Sequence, residues 1–224
     1  MAPKPEPSVL GVSQPPDLGV DGLDHVESVE LVPGLELDGI ALSGLSLDGA
    51  EAGSVRLERV RLEDVSLGES KLRGLRIVDA AIDGIAAANG DWGGAQLRRV
   101  CFEGGRLTGL NLGEARLDEV EFRQCKLDYA NFRHATIDHV SFEDCVMTDA
   151  DFQGATIAAS RLANCSLTGA DFTKAELSWV DMSGSELDIA GSAAGLRGAI
   201  IDSLQLIDLA PRLARELGIT VKEG

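Results

Sequence analysis

Three cysteines, Cys125, Cys145 and Cys165, recur every twenty residues, and a fourth, Cys101, stands outside the series. A column of thiols could bind a soft metal or exchange disulfides. The spacing, however, contains no paired CxxC element, and no histidine or carboxylate shares the inward positions of these thiols. They read as buried thiols acting as small apolar groups, in a reduced compartment. Cys101 precedes an inward position and should point outward, with nothing nearby to activate it. The histidines are His25, His134 and His139, the last two on adjacent outer faces. They lack the partners of an acyl-transfer triad, and no glycine loop of the nucleotide-binding kind is present. The expectation is a chain that is not an enzyme, with no catalytic residue, no cofactor and no metal.

The carboxylates remain. Asp and Glu number 37 against 20 Lys and Arg, for a net charge of −17. Such a chain is repelled by nucleic acid and by anionic membranes, and it is attracted to a basic surface that normally holds DNA. Aromatic residues make up 4%, too few for a base-stacking platform. No apolar run approaches the ~18 residues of a membrane span. The start, MAPKPEPSVLGVSQPP, has no apolar signal core. The expected location is cytoplasmic.

The elements that must position these charges follow from a period of five. Every fifth residue from Leu37 to Leu187 is in phase; 28 of these 31 positions are Leu, Ile, Phe or Met, and the exceptions are Ala52, Ala87 and Trp92. The residue three places further on is mostly small or β-branched, as at Ala115, Val120, Cys125 and Ala130. Five fits neither the helical period of 3.6 nor the strand period of 2. It demands a chain that turns one corner per five residues with two side chains pointing inward. A second period of twenty stacks Phe102, Phe122 and Phe142, and likewise Phe132, Phe152 and Phe172. Four blocks per coil make a square β-solenoid of about eight coils, each stacked on the next at ~4.8 Å, roughly 40 Å in all. Ala87, Gly90, Trp92 and the Gly93-Gly94 pair mark a coil expected to be locally distorted or differently packed.

Sorting charges by the twenty-residue period is uneven. The side with Phe102, Phe122 and Phe142 carries Glu63, Asp64, Asp83, Glu103, Glu121, Glu143, Asp144 and Asp181 against Arg61, Arg123 and Arg161. The next side carries Asp48, Glu69, Asp128, Asp149, Glu186 and Asp188 against Arg106 and Lys126. The other two sides are nearly balanced. Tyr129 and Trp179 are outward aromatics on separate sides.

Residues 1–24 read as a disordered, acidic, proline-rich tail, and 25–36 as a cap on the first open end of the array. The solenoid spans 37–201. After Leu187 the phase is lost, then resumes shifted by one at Leu196 and Ile201. Residues 202–224 form a helical cap, with Ser203 as N-cap and Leu206, Leu209, Leu213 and Leu217 on one face. Pro211 allows two short helices as well as one, and Ile219 to Val221 suit a short strand. Ile207 adds apolar surface on a second side, so Leu206, Ile207, Leu209, Leu213 and Leu217 are also candidates for a homodimer contact.

Blocks such as ANFRH, ADFQG and ADFTK resemble the pentapeptide-repeat family, over about residues 35 to 190. The resemblance implies an all-β fold, a right-handed quadrilateral β-helix, here with a C-terminal α-helical cap. It also implies a non-catalytic DNA mimic that binds DNA gyrase or another type II topoisomerase, modulates quinolone sensitivity and forms a homodimer. The unbroken phase looks more like the loopless members. The competing reading is a structural scaffold that holds an unrelated protein partner on one face of the rod.

Overall fold

The structure, a computed structural model, describes residues 14–19 and 22–222. The fourth residue of each five has a left-handed backbone, with φ of 52° at Asp64, 54° at Asp79, 52° at Gln124 and 53° at His139. That conformation swings the chain through one corner. Glycine, Asn and Asp tolerate it best, and they hold many of these places, among them Asn89, Gly94, Gly109, Asp149 and Asn164.

Between corners the chain is extended. The strands are β1 (Asp24–His25), β2 (Glu36–Asp38), β3 (Ile40–Ser43), β4 (Arg56–Glu63), β5 (Arg76–Asp83), β6 (Gln96–Glu103), β7 (Arg116–Arg123), β8 (Thr136–Asp138), β9 (Ser141–Glu143), β10 (Thr156–Ala158), β11 (Arg161–Ala163), β12 (Glu176–Ser178), β13 (Val180–Asp181) and β14 (Ala199–Ile200). All pairings are parallel, and through the body each residue pairs with the one twenty further on, as in Leu57↔Ile77, Ile77↔Leu97 and Leu97↔Leu117. The result is a β-solenoid of about nine turns with one C-terminal helix. The turns exceed the expected eight because β1 adds a rung beneath β3, and β14 adds one beyond β13.

Four sides follow in chain order. The first carries 56–59 and its equivalents, the second 61–64, the third 66–69 and the fourth 71–74. Inside, Phe102, Phe122 and Phe142 stack at 4.8 and 5.0 Å, and Phe132, Phe152 and Phe172 at 4.8 Å, with nearly parallel planes. The two columns meet edge to face at Phe132 and Phe142, 6.0 Å apart.

The coil around Trp92 is not distorted. Lys71↔Asp91 and Asp91↔Asn111 keep the twenty-residue register across it. It is packed differently instead. Trp92 is 1% exposed, and its Nε1–H donates to Ser70 Oγ at 3.2 Å. Gly90, at an inward position, makes the room: a Cβ there would lie 3.2 Å from Trp92 Nε1 and 3.2 Å from Leu110 Cδ1.

At the N-terminal end, part of the stretch expected as free tail lies on the rod. The backbone N–H of Asp17 donates to Asp79 Oδ1 at 3.0 Å, and β1 pairs with Ile40 and Ala41. Residues 1–13, 20 and 21 of that expected tail lie outside the described residues. At the other end one residue drops out of the coil. Ser166↔Glu186 keeps the interval of twenty, whereas Asp171↔Ala190 and Val180↔Ala199 have nineteen. That is the shift by one read at Leu196 and Ile201.

After a short 3-10 turn at Ala193–Leu196, one unbroken α-helix, α1 (Ser203–Glu216), closes the array, with Pro211 inside it. Its N-cap is Asp202, not Ser203: the Asp202 carboxylate accepts from the backbone N–H groups of Leu204 and Gln205, and Gln205 Oε1 accepts the Asp202 N–H. Ile219 to Val221 form no strand.

Candidate interaction faces

The eight carboxylates named on one side do share it. Glu63, Asp83, Glu103, Glu121 and Glu143 occupy five successive rungs of the second side, Asp181 lies two rungs beyond Glu143 past Arg161, and Asp64 and Asp144 stand at its corner. Three are drawn toward guanidinium groups: Glu63 to Arg61 at 3.6 Å, Glu121 to Arg123 at 2.6 Å and Glu143 to Arg123 at 3.8 Å. Among the described residues no cation pairs with Asp64, Asp83, Glu103, Asp144 or Asp181. The third side, with Asp48, Glu69, Asp128, Asp149, Glu186 and Asp188, has no ion pair at all among the described residues.

The first and fourth sides are built differently. Carboxylates and cations alternate up their columns and pair across coils: Glu36–Arg56 at 3.1 Å, Asp79–Arg99 at 2.6 Å, Asp91–Arg73 at 3.3 Å and Asp151–Arg133 at 2.5 Å. Asn111 and Asn131 extend the fourth side's ladder below Asp151, with Asn111 donating to Asp91 at 2.7 Å and Asn131 to Asn111 at 2.8 Å. Asp79 is 6% exposed, and its hydrogen bonds to Arg99 hold its carboxyl below the usual aspartate range. Two sides are thus self-neutralised, and the two adjacent ones carry uncompensated negative charge. The charge on each side is legible in the sequence, but which carboxylates are paired depends on side-chain reach between coils.

The thiols are inward as expected. Cys125, Cys145 and Cys165 are buried, each with Sγ toward the carbonyl of a phenylalanine one coil back: Phe102 at 3.7 Å, Phe122 at 3.3 Å and Phe142 at 3.4 Å. Cys101 is half-buried, and burial, followed by the Glu121 charge, pushes its thiol up to about 11. Tyr129 is exposed on the third side, and Trp179 is partly covered.

The helix departs from its expected face. Gln205, Leu209, Arg212 and Glu216 meet the last coil. Gln205 Nε2 donates to the carbonyls of Met182 (2.7 Å) and Ser185 (2.6 Å), and Arg212 donates to those of Ile189 (2.5 Å) and Gly191 (3.0 Å). Glu216 accepts from Ala193 N–H at 2.9 Å and Ser192 Oγ at 2.8 Å. An open coil end presents unpaired backbone groups that need donors and acceptors, which leucine cannot supply. Of the five candidate dimer residues, Leu209 is buried and Leu213 half-buried, both against the core. Leu206, Ile207 and Leu217 are exposed at 50, 65 and 74%.

This geometry is that of a repeat solenoid capped by a helix, and residues 115–191 match the family described as pentapeptide repeat region. That match covers about a third of the chain, within the repeat body. Among solved structures the chain resembles a trypsin-treated, singly substituted form of QnrB1, a plasmid-mediated fluoroquinolone resistance protein, at TM-score 0.61 and 17% identity, covering 88% of this chain and 99% of that one. A second trypsin-treated QnrB1 variant matches at TM-score 0.50 and 20% identity, covering 82% of this chain and 100% of that one. A search of curated proteins finds no match. No described helix is long and apolar enough to cross a membrane.

Proposed function

We propose that this protein is a non-catalytic interaction rod that presents its second and third sides to a basic, DNA-gripping protein surface as a mimic of the duplex. DNA gyrase or another type II topoisomerase is the partner class, and quinolone sensitivity is the phenotype. The observation that carries this reading is the segregation of net charge: two sides whose carboxylates and cations nearly balance, and two adjacent sides with an excess of carboxylates, of which Asp64, Asp83, Glu103, Asp144 and Asp181 pair with no described cation. These repeat along the axis at the coil spacing, 4.8 to 5.0 Å between stacked rings. The two acidic sides carry roughly one net negative charge per 4 Å of rod, against one per ~1.7 Å of duplex. Binding should therefore be weaker and less salt-dependent than that of DNA. Homodimerisation through the exposed Leu204, Leu206 and Ile207 of α1 would double the length of acidic surface.

The test is a gyrase supercoiling assay with and without a quinolone, using the wild type, a second-side variant (Glu103→Lys with Asp144→Lys) and a third-side variant (Asp128→Lys with Asp149→Lys). The wild type should inhibit supercoiling or relieve drug-induced cleavage, and the variants should do so less. Unchanged inhibition by both variants would defeat the mimic reading; no effect of the wild type at high excess would leave the scaffold reading. For the dimer, Ile207→Glu should shift sedimentation from dimer to monomer.

A further inference from the structure

The corner between the first and second sides holds a group of ligating atoms that the linear sequence scatters. Asp118 lies at the third place of its block in β7, and Asp138 at the same place in β8, stacked directly on it by the register Asp118↔Asp138. His139 follows at the left-handed corner, φ 53°. One ligand atom from each of Asp118, Asp138 and His139 lies within 4.8 Å of the others, and His139 Nδ1 is 3.0 Å from Asp138 Oδ1. All three side chains are partly exposed.

Acidic pairs are common on this rod. What sets this one apart is an imidazole nitrogen, which changes the ion that fits. Two carboxylate oxygens and one imidazole suit a divalent transition ion such as Zn²⁺, with ligand distances of about 2.0–2.2 Å, better than Mg²⁺, which favours oxygen alone. The neighbouring rungs leave the site accessible. The coil after it places Ala158 opposite Asp138, so no long side chain covers the corner from that direction. The coil before it carries Arg98 and Arg99. Arg99 is held on Asp79 by two hydrogen bonds of 2.6 Å, although its charge still reaches Asp118, and Arg98 lies 3.5 Å from Asp118, so Arg98 is the cation in direct contact with which a metal ion would compete.

We propose that Asp118, Asp138 and His139 form a surface site for a divalent transition cation that clamps two adjacent coils. Three protein ligands leave at least one coordination position open to water or to a side chain of a bound partner. Because the ion binds both coils at once, it stabilises the folded rod over the unfolded chain, in which the two strands separate.

The experiment is calorimetric titration of the full-length protein with ZnCl₂, beside the thermal midpoint with and without Zn²⁺. The wild type should bind close to one equivalent in a saturating step and melt at a higher temperature with Zn²⁺ than without. His139→Ala and Asp118→Asn should weaken the step at least about tenfold, the effect seen even when a ligand's supporting partner is lost, and abolish the thermal shift. His134→Ala, on another side of the rod, should leave both unchanged, and Arg98→Ala should tighten binding by releasing Asp118. Far-ultraviolet circular dichroism confirms that each variant keeps the rod. Absence of a saturating step in the wild type, equal binding by His139→Ala, or an equal loss in His134→Ala would each overturn the proposal.

Discussion

Replacing Gly90 by alanine tests the packing logic of the rod at its most unusual coil. Two effects oppose each other. Gly90 has no left-handed φ, so alanine reduces the freedom of the unfolded chain, which by itself stabilises by about 0.4–1 kcal/mol. Against this, the new Cβ would meet Trp92 Nε1 at 3.2 Å, Leu110 Cδ1 at 3.2 Å and the Ala87 carbonyl oxygen at 3.3 Å. Trp92 cannot yield freely, because its indole is fully buried and hydrogen-bonded to Ser70. Overpacking of this kind costs about 1–3 kcal/mol, so the net expectation is a loss of about 1–2 kcal/mol. Equilibrium urea unfolding of Gly90→Ala, Trp92→Phe and the double variant measures it. The smaller ring makes room for the methyl group, so the double variant should lose less than the two single changes combined, with a coupling of about 1 kcal/mol. Gly53→Ala is the contrast: its Cβ would meet only the Arg73 carbonyl oxygen at 3.7 Å, and stability should rise by a few tenths to about 1 kcal/mol. A Gly90→Ala protein as stable as the wild type, or additive single and double changes, would refute the claim that the glycine is there for the tryptophan.

Three further outcomes follow from groups already described. Arg99→Ala strands the nearly buried Asp79 carboxylate and should cost about 3 kcal/mol in urea unfolding. The folded Asp79 titrates below the ordinary 3.8, so its contribution is complete above that value and is lost as the pH falls through the folded pKa. Arg99→Ala should flatten that acid limb, and an unchanged limb would count against the assignment. Asp202→Ala removes the acceptor of the capping box and should cost about 1 kcal/mol, read as early loss of amide protection in α1 by hydrogen exchange. Cys101, its thiol raised to about 11 by burial and then by Glu121, should react with a disulfide reagent at pH 8 far more slowly than a free thiol. Glu121→Gln should speed the reaction, and a wild-type rate equal to that of unfolded protein would contradict the burial.

The division between what the chain spells out and what only folding decides follows the reach of each interaction. The five-residue phase from Leu37 to Leu187 determines the solenoid, its inward columns and the side on which each charge falls, because corner and pleat geometry are local and repeat without interruption. The thiol column and the one-residue shift near Leu196 were legible for the same reason. Around Trp92 the sequence leaves distortion and different packing open, and only the structure decides for packing, because the fit depends on Ser70 one coil away and on Gly90. The docking face of α1 was misread because amphipathic spacing counts leucines, whereas the surface it covers is a coil end with unpaired carbonyls that call for Gln205 and Arg212. Which carboxylates find a cation, and the meeting of Asp118 with Asp138 and His139, belong to the tertiary structure. They arise between residues about twenty apart in sequence that stacking brings to within one coil, where a long side chain either reaches its neighbour or does not.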